Sequence, residues 1–309
     1  MNNKLLTFFS LLIVAVFIGY IVFDTVKPAQ KTISEESSKE NYDENWEITD
    51  ELYFPSGTPC AVAVSSDGKV IVGGKSFISC FDRGLKNLWS VYTDLPVTAV
   101  TTFDDFIYAS TRNSLLVLNT MGAITEELGP WNDNSIITSI AAGQSTIAIA
   151  DANNKAVYII DKGGEVLKIL GNGENEFIIP SPYFDIVNSD SGYVIANTGL
   201  RRLEKWNLDG EMVSYFGESG LAADAFCGCC NPAHFAPFPG GFITAEKGIN
   251  RIKVIDSTGK FVEFISAKNN FKPSIPLDIA TDKGETVYAV NPSDSKLYVY
   301  KKIQHDDPQ

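Results

Sequence analysis

Three cysteines and a histidine crowd into one short stretch of this chain. Cys227, Cys229, Cys230 and His234 form a C-x-C-C-x3-H arrangement inside Gly220 to Pro239, GLAADAFCGCCNPAHFAPFP. Thiolates and imidazole at that density suit Zn, Cu(I) or another soft metal, and the spacing departs from the C-x2-C of a zinc knuckle. Adjacent Cys229 and Cys230 have Cα atoms about 3.8 Å apart, below the usual disulfide span, so a bond between them would be strained and easily reduced. Cys227 could instead pair with Cys229 or Cys230 merely to tie down a long loop. The chain holds five Cys and two His in all. Cys60 and Cys80 read as buried small apolar residues, and His305 sits in a polar tail.

Something must position these groups, and the rest of the chain supplies a repeat. One unit recurs: a short strand, a Gly or Asp turn, an apolar strand, a polar turn, a third strand, then Asp or Asn followed three residues later by Gly. That last signature appears as Asn119 with Gly122, Asp161 with Gly164, Asn207 with Gly210 and Asp256 with Gly259, and it is good type I turn chemistry between third and fourth strands. First strands centre on Val62, Ala99, Ile140, Ile186, Phe235 and Ile279, a mean period of about 43 residues, which is the length of a propeller blade. Residues 45–303 therefore read as an all-β domain, six four-stranded blades around a channel. The sixth unit stops after its third strand, so Trp46 to Phe54 is the candidate for its missing fourth.

Two segments carry a family resemblance. Ile169 to Val187 (ILGNGENEFIIPSPYFDIV) and Gly241 to Val262 (GFITAEKGINRIKVIDSTGKFV) resemble NHL repeats, with their Gly-rich loop, Asn-Arg-Ile and Asp-x-x-Gly. The resemblance implies a six-bladed β-propeller serving as a protein-binding module, an extracellular sensor, an RNA binder or a metal-dependent lyase. Residues recurring once per blade read as structural: Asp151, Asn197, Glu246 and Asn291 as partners of the following turn, and Arg202 and Arg251 as blade-to-blade contacts. Arg201 and Lys205 follow no such repeat.

At the position before the apolar centre of each first strand the blades carry Ala61, Thr98, Ser139, Asp185, His234 and Asp278. Three consecutive blades would thus present Asp, His and Asp at a channel mouth, beneath the Cys loop. One reading is a ligand, metal or redox site built from Cys227, Cys229, Cys230, His234, Asp185 and Asp278; the other is that the polar residues only satisfy loop amides.

Lys and Arg number 25 against 38 Asp and Glu, a formal charge of -13, and a surface of that sign argues against nucleic acid as a partner. No G-x-S-x-G elbow, Walker A loop or H-E-x-x-H is present, so nothing supports a serine esterase, nucleotide hydrolase or zincin. The alternative to a binding scaffold is a calcium-dependent hydrolase or lyase using Asp185, Asp278, Asn197 and Asn291 as oxygen ligands.

Residues 5–23, LLTFFSLLIVAVFIGYIVF, carry no formal charge and as a helix reach roughly 28 Å, enough to cross a bilayer. No Ala-x-Ala pattern follows, which favours an uncleaved anchor. Residues 1–4 are then a short cytoplasmic end, 24–44 an acidic tether, and 304–309 a tail. The expectation is a single-pass membrane protein whose propeller is extracytoplasmic, meeting a protein or small-molecule ligand at the channel mouth.

Overall fold

The computed structural model describes residues 45–171, 173, 175–267, 271–272 and 275–303. Six four-stranded sheets follow one another along the chain, giving six blades over residues 59–92, 99–128, 137–170, 186–216, 234–266 and 278–302. The sixth sheet is completed by Trp46–Tyr53. This is the six-bladed β-propeller read from the repeat. No helix of the described residues is long and apolar enough to cross a membrane. The expected span at 5–23, the tether at 24–44 and the tail with His305 lie outside the described residues.

Each blade's strand pattern follows from where its faces go. Second strands are apolar throughout because neighbouring blades cover both of their faces; in blade three Ile147, Ala148, Ile149 and Ala150 are fully buried. Outermost strands carry polar residues toward solvent, as in Ile124–Leu128. The turns between third and fourth strands are as the Asx-x-x-Gly signature predicts: Asp161 Oδ1 accepts the Gly163 and Glu165 amides at 2.9 and 2.8 Å, and Asn119 Oδ1 those of Met121 and Ala123 at 3.0 Å each. Blade one hides a fifth copy of that turn. Asp82 opens it, but Leu85 occupies the left-handed position at φ 61 where the other copies have Gly.

Side chains reach across to these turns from the preceding blade or, for Trp131, from the segment that follows it. Trp89 donates to the Thr120 carbonyl (3.0 Å), Trp131 to that of Gly164 (2.9 Å), Lys168 to that of Leu208 (3.1 Å) and Lys205 to that of Ser257 (3.0 Å). Lys205, unmatched in the repeat pattern, is thus a blade-to-blade contact. Of Arg202 and Arg251, expected in that role, Arg202 binds Glu204 of its own blade at 2.7 Å, and Arg251 binds both Glu246 of its own blade at 2.7 Å and carbonyls of the segment before that blade.

The ring closes as the truncated sixth repeat implies. Trp46–Tyr53 runs antiparallel to Lys296–Lys302, from Trp46 opposite Lys302 to Tyr53 opposite Lys296. Trp46 is buried among Ala236, Ile243, Ile265 and Tyr300 of blades five and six, its ring 6.4 Å from that of Phe238. The two ends of the domain therefore share one sheet and one apolar cluster. Trp46→Ala should cost about 3–5 kcal/mol in equilibrium urea unfolding, as for other buried aromatic truncations, whereas Glu47→Ala on the exposed side of the same strand should change little. A loss below about 1 kcal/mol for Trp46→Ala would show that the closing strand contributes little to the ring.

Candidate functional site in the channel

The innermost strand of every blade is a sheet edge, and its outward amides need partners. One device meets this need at three blade junctions. The residue before the apolar centre accepts the amide hydrogen of the next blade's apolar centre: Ser139 Oγ from Ile186 (3.2 Å), Asp185 Oδ2 from Phe235 (2.8 Å) and Asp278 Oδ2 from Val62 (2.7 Å). Ser139 also donates its hydroxyl to Asp185 Oδ1. Asp185 and Asp278 thus accept backbone amides, those of the next blade's inner strand and not the loop amides expected.

His234 occupies the same position in blade five. Its Nδ1 lies 3.3 Å from Asp278 Oδ1 and 3.8 Å from Asp185 Oδ2, so the imidazole sits between two carboxyl groups. Their side chains are 9% (Asp185), 16% (His234) and 18% (Asp278) exposed. Burial pushes Asp185 up to about 6, with the nearby His234 opposing and Asp278 adding to the shift, and pushes Asp278 up to about 7 against the amides of Val62 and Ile279. Burial also lowers His234, which Asp185 partly counters. The group changes its charge close to neutrality.

A cavity of about 500 Å³ follows the inner strands of all six blades. Asp185, His234 and Asp278 line it toward the strand starts, Thr98, Thr101, Thr138 and Ser139 line its wall, and Pro239 and Lys283 lie toward the hairpins at the other end. None of Cys227, Cys229 and Cys230 lines it.

The Cys segment is held elsewhere, by a buried charge network whose origin is legible in the repeat. Blade four has Asn197 at the end of its second strand and Glu204 seven residues on; blade five has Glu246 and Lys253 at these places. Glu204 accepts from Asn197 (2.9 Å), Arg202 (2.8 Å) and Trp206 (3.1 Å). In blade five the carboxylate has moved strands, and Lys253, fully buried, lies 2.9 Å from Glu246 Oε1. Its spare donors go to the carbonyls of Ala223 (2.8 Å) and Ala225 (2.7 Å), while Arg251 takes those of Ala222 (3.0 Å) and Ala225 (2.7 Å). Burial lowers Lys253 to about 8 despite Glu246. Two cations thus grip the start of the insert, and the loop ends at Ala233, since His234–Phe238 is already the inner strand.

Beyond that grip the three sulfurs part. Cys227 is buried with its thiol 3.8 Å from the Lys247 carbonyl, whereas Cys229 and Cys230 touch each other with sulfurs 3.2 Å apart. All five cysteines are free. Cys80 is buried as expected and Cys60 half-buried. Among the described residues no group of three or more His, Cys, Asp or Glu is arranged to hold a metal ion. Of the six predicted site residues the structure gathers Asp185, His234 and Asp278 in the channel, pairs Cys229 with Cys230, and leaves Cys227 apart. Tyr183 stands between the two places: its ring meets that of His234 edge-on at 6.1 Å, and the Lys247 ammonium lies 5.0 Å from the centre of the same ring.

Of the oxygen ligands in the calcium alternative, Asp185 and Asp278 flank His234, while Asn197 and Asn291 are engaged with backbone amides. Asn197 Oδ1 accepts the amide of Ile178, in the segment before blade four (3.0 Å), and Asn291 Oδ1 that of Ser293 in its own blade (3.0 Å). Asp151 similarly takes the amides of Ile136, Asn153 and Asn154 at 3.1 Å each. Asp151 and Asn197 thus pin the segment leading into their blade, a role the sequence pattern did not reveal, and Asp151 and Asn291 hold the following turn.

No family model and no curated protein matches the chain. Solved structures do, as folds. Virginiamycin B lyase from Staphylococcus aureus superposes with a TM-score of 0.60 at 18% identity, covering 84% of this chain and 100% of the other. A streptogramin B lyase gives 0.61 at 15% identity, covering 85% and 100%. The Pan2 WD40 domain of Neurospora crassa gives 0.59 at 13% identity, covering 86% and 98%. The chain is a six-bladed β-propeller, and its structural neighbours are propellers.

Two predictions follow from these contacts. The raised carboxyls keep their protons to higher pH in the folded than in the unfolded chain, so their contribution to stability is complete below about pH 4 and lost as pH rises through about 7. His234, lowered, acts oppositely: its contribution is present above about pH 6.5 and lost as pH falls. Asp278→Asn, which retains an oxygen for the Val62 amide, should gain about 1.4 kcal/mol relative to the parent between pH 6 and 8; parallel stability profiles in urea would refute the assignment. Separately, Glu246→Gln should cost about 3–5 kcal/mol by leaving Lys253 and Arg251 without their carboxylate and should speed alkylation of native Cys227. Unchanged reactivity of Cys227 would show that the network does not hold the insert.

Proposed function

We propose that this chain is a membrane-anchored, extracytoplasmic binding or sensor propeller that takes its ligand in the channel. The observation that carries the reading is the cavity of about 500 Å³ to which every blade contributes, with threonines and Ser139 along its wall and the Asp185–His234–Asp278 group toward the strand starts. Concave sites with few convergent polar groups and shifted pKa values are the usual places for small ligands. A group that changes charge near neutrality makes such binding pH-dependent. The anchor rests on the uncharged stretch 5–23 followed by an acidic tether. In the same reading the insert carrying Cys227, Cys229 and Cys230 is an accessory redox or ligand feature outside the cavity.

A second reading, hydrolase or lyase chemistry in the same cavity, draws on one observation. An imidazole between two carboxyl groups of raised pKa is a set able to move protons, and turnover that disappears in His234→Ala would favour it.

Thr102 lines the cavity away from the carboxyl groups, so Thr102→Trp should fill the channel without touching them. Native mass spectrometry of full-length protein purified from its host membrane should find a small molecule retained by the parent and lost from Thr102→Trp at unchanged melting temperature. Equal retention would move the ligand out of the channel. Protease added to intact cells should digest the propeller and spare residues 1–4; protection of the propeller would reverse the topology.

A further inference from the structure

We infer that Cys229 and Cys230 form a thiol–disulfide exchange site, independent of any ligand in the channel. Their sulfurs lie 3.2 Å apart, in contact and unbonded. The two thiols differ in access: Cys229 is exposed and Cys230 is buried. Burial pushes the Cys230 thiol up, with Ser181 opposing and Cys229 adding to the shift. An incoming disulfide therefore meets Cys229, and Cys230 stands behind it as the resolving thiol.

The surroundings hold the pair in place and withhold the third sulfur. Immediately after it, the Asn231 amide donates to the carbonyls of Cys227 (2.6 Å) and Lys247 (2.7 Å) and accepts the Lys247 amide hydrogen (2.7 Å). Before it, Arg251 and Lys253 grip the carbonyls of Ala222, Ala223 and Ala225. Cys227 is buried, its thiol turned to the Lys247 carbonyl, so it does not compete. Gly228 takes φ 71, which bends the chain between Cys227 and the pair.

The chemistry balances with a low-molecular-weight disulfide, RSSR, as oxidant. The Cys229 thiolate, its proton released to solvent, attacks one sulfur of RSSR; a Cys229–SR bond forms and RS⁻ leaves. The Cys230 thiol then loses its proton and attacks the Cys229 sulfur, expelling the second RS⁻ and forming the Cys229–Cys230 disulfide. Two protein thiols are oxidised, one disulfide is reduced, and the two released protons yield two RSH. Because adjacent residues hold their Cα atoms closer than a relaxed disulfide wants, the oxidised form is readily reduced again. That marks a reversible exchange or sensing site and not a staple.

The test uses full-length protein, reduced, freed of reductant and treated with glutathione disulfide. After acid quenching and alkylation, peptide mass spectrometry should find the Cys229–Cys230 peptide two hydrogens lighter, with Cys227 still alkylatable after unfolding. Cys230→Ser should stop at a glutathione adduct on Cys229, and Cys229→Ser should lower the rate of thiol loss about 10-fold or more, both with the parent's circular dichroism. Either a persistent glutathione adduct on Cys229 in the parent, or oxidation that includes Cys227, overturns the proposal. So does the absence of reaction under conditions where an unstructured cysteine peptide is consumed.

Discussion

A propeller has no common core beneath its blades, so each innermost strand is an edge whose outward amides must find partners in the channel. The hydrogen bond that a side chain of one blade accepts from the backbone of the next is the constraint from which the rest of this molecule follows. Ser139, Asp185 and Asp278 supply it at three junctions. Where a carboxyl does so, it is drawn into a partly desolvated place, and its pKa rises even though each bond it accepts favours the charged form. The groups that tie the ring together thereby become the titratable groups of the channel. Structure and candidate chemistry share the same atoms, and His234 is held between them.

A second theme is substitution within a repeat. Blades four and five solve one problem, satisfying buried polar groups beside the third strand, with opposite charge placement. In blade four the carboxylate of Glu204 is surrounded by donors of its own blade. In blade five Glu246 takes the acidic role, and Lys253 at the former acid's place has donors to spare. Those donors find the carbonyls of the insert, so an exchange that preserves local neutrality also fastens a segment the other blades lack. A buried ion pair alone is weak support for stability; here its geometry tells more about where the Cys segment is held than about how stable the blade is.

Much of this was legible beforehand. The six strand sets, the Asx-x-x-Gly turns and the closing role of Trp46–Tyr53 follow from alternation, turn chemistry and an unfinished last repeat, because these depend on neighbours in sequence or on a period. The turn at Asp82 escaped because Leu85 adopts a conformation that usually marks glycine. Arg202 and Arg251 were expected to bridge blades and Lys205 had no expected role, since a repeat reports that a residue recurs without reporting which blade it faces.

The sequence by itself determined the ring, its blade count and the residues standing at the channel position, for a period and a hydrophobic pattern suffice to place strands and their faces. Only the tertiary structure decided what meets what. Asp185, His234 and Asp278 converge because consecutive inner strands bring one register position together, while Cys227, Cys229 and Cys230, close in sequence to His234, go elsewhere because cations of blade five seize the carbonyls before them. Loop direction is set by partners distant along the chain, and no local spacing records them.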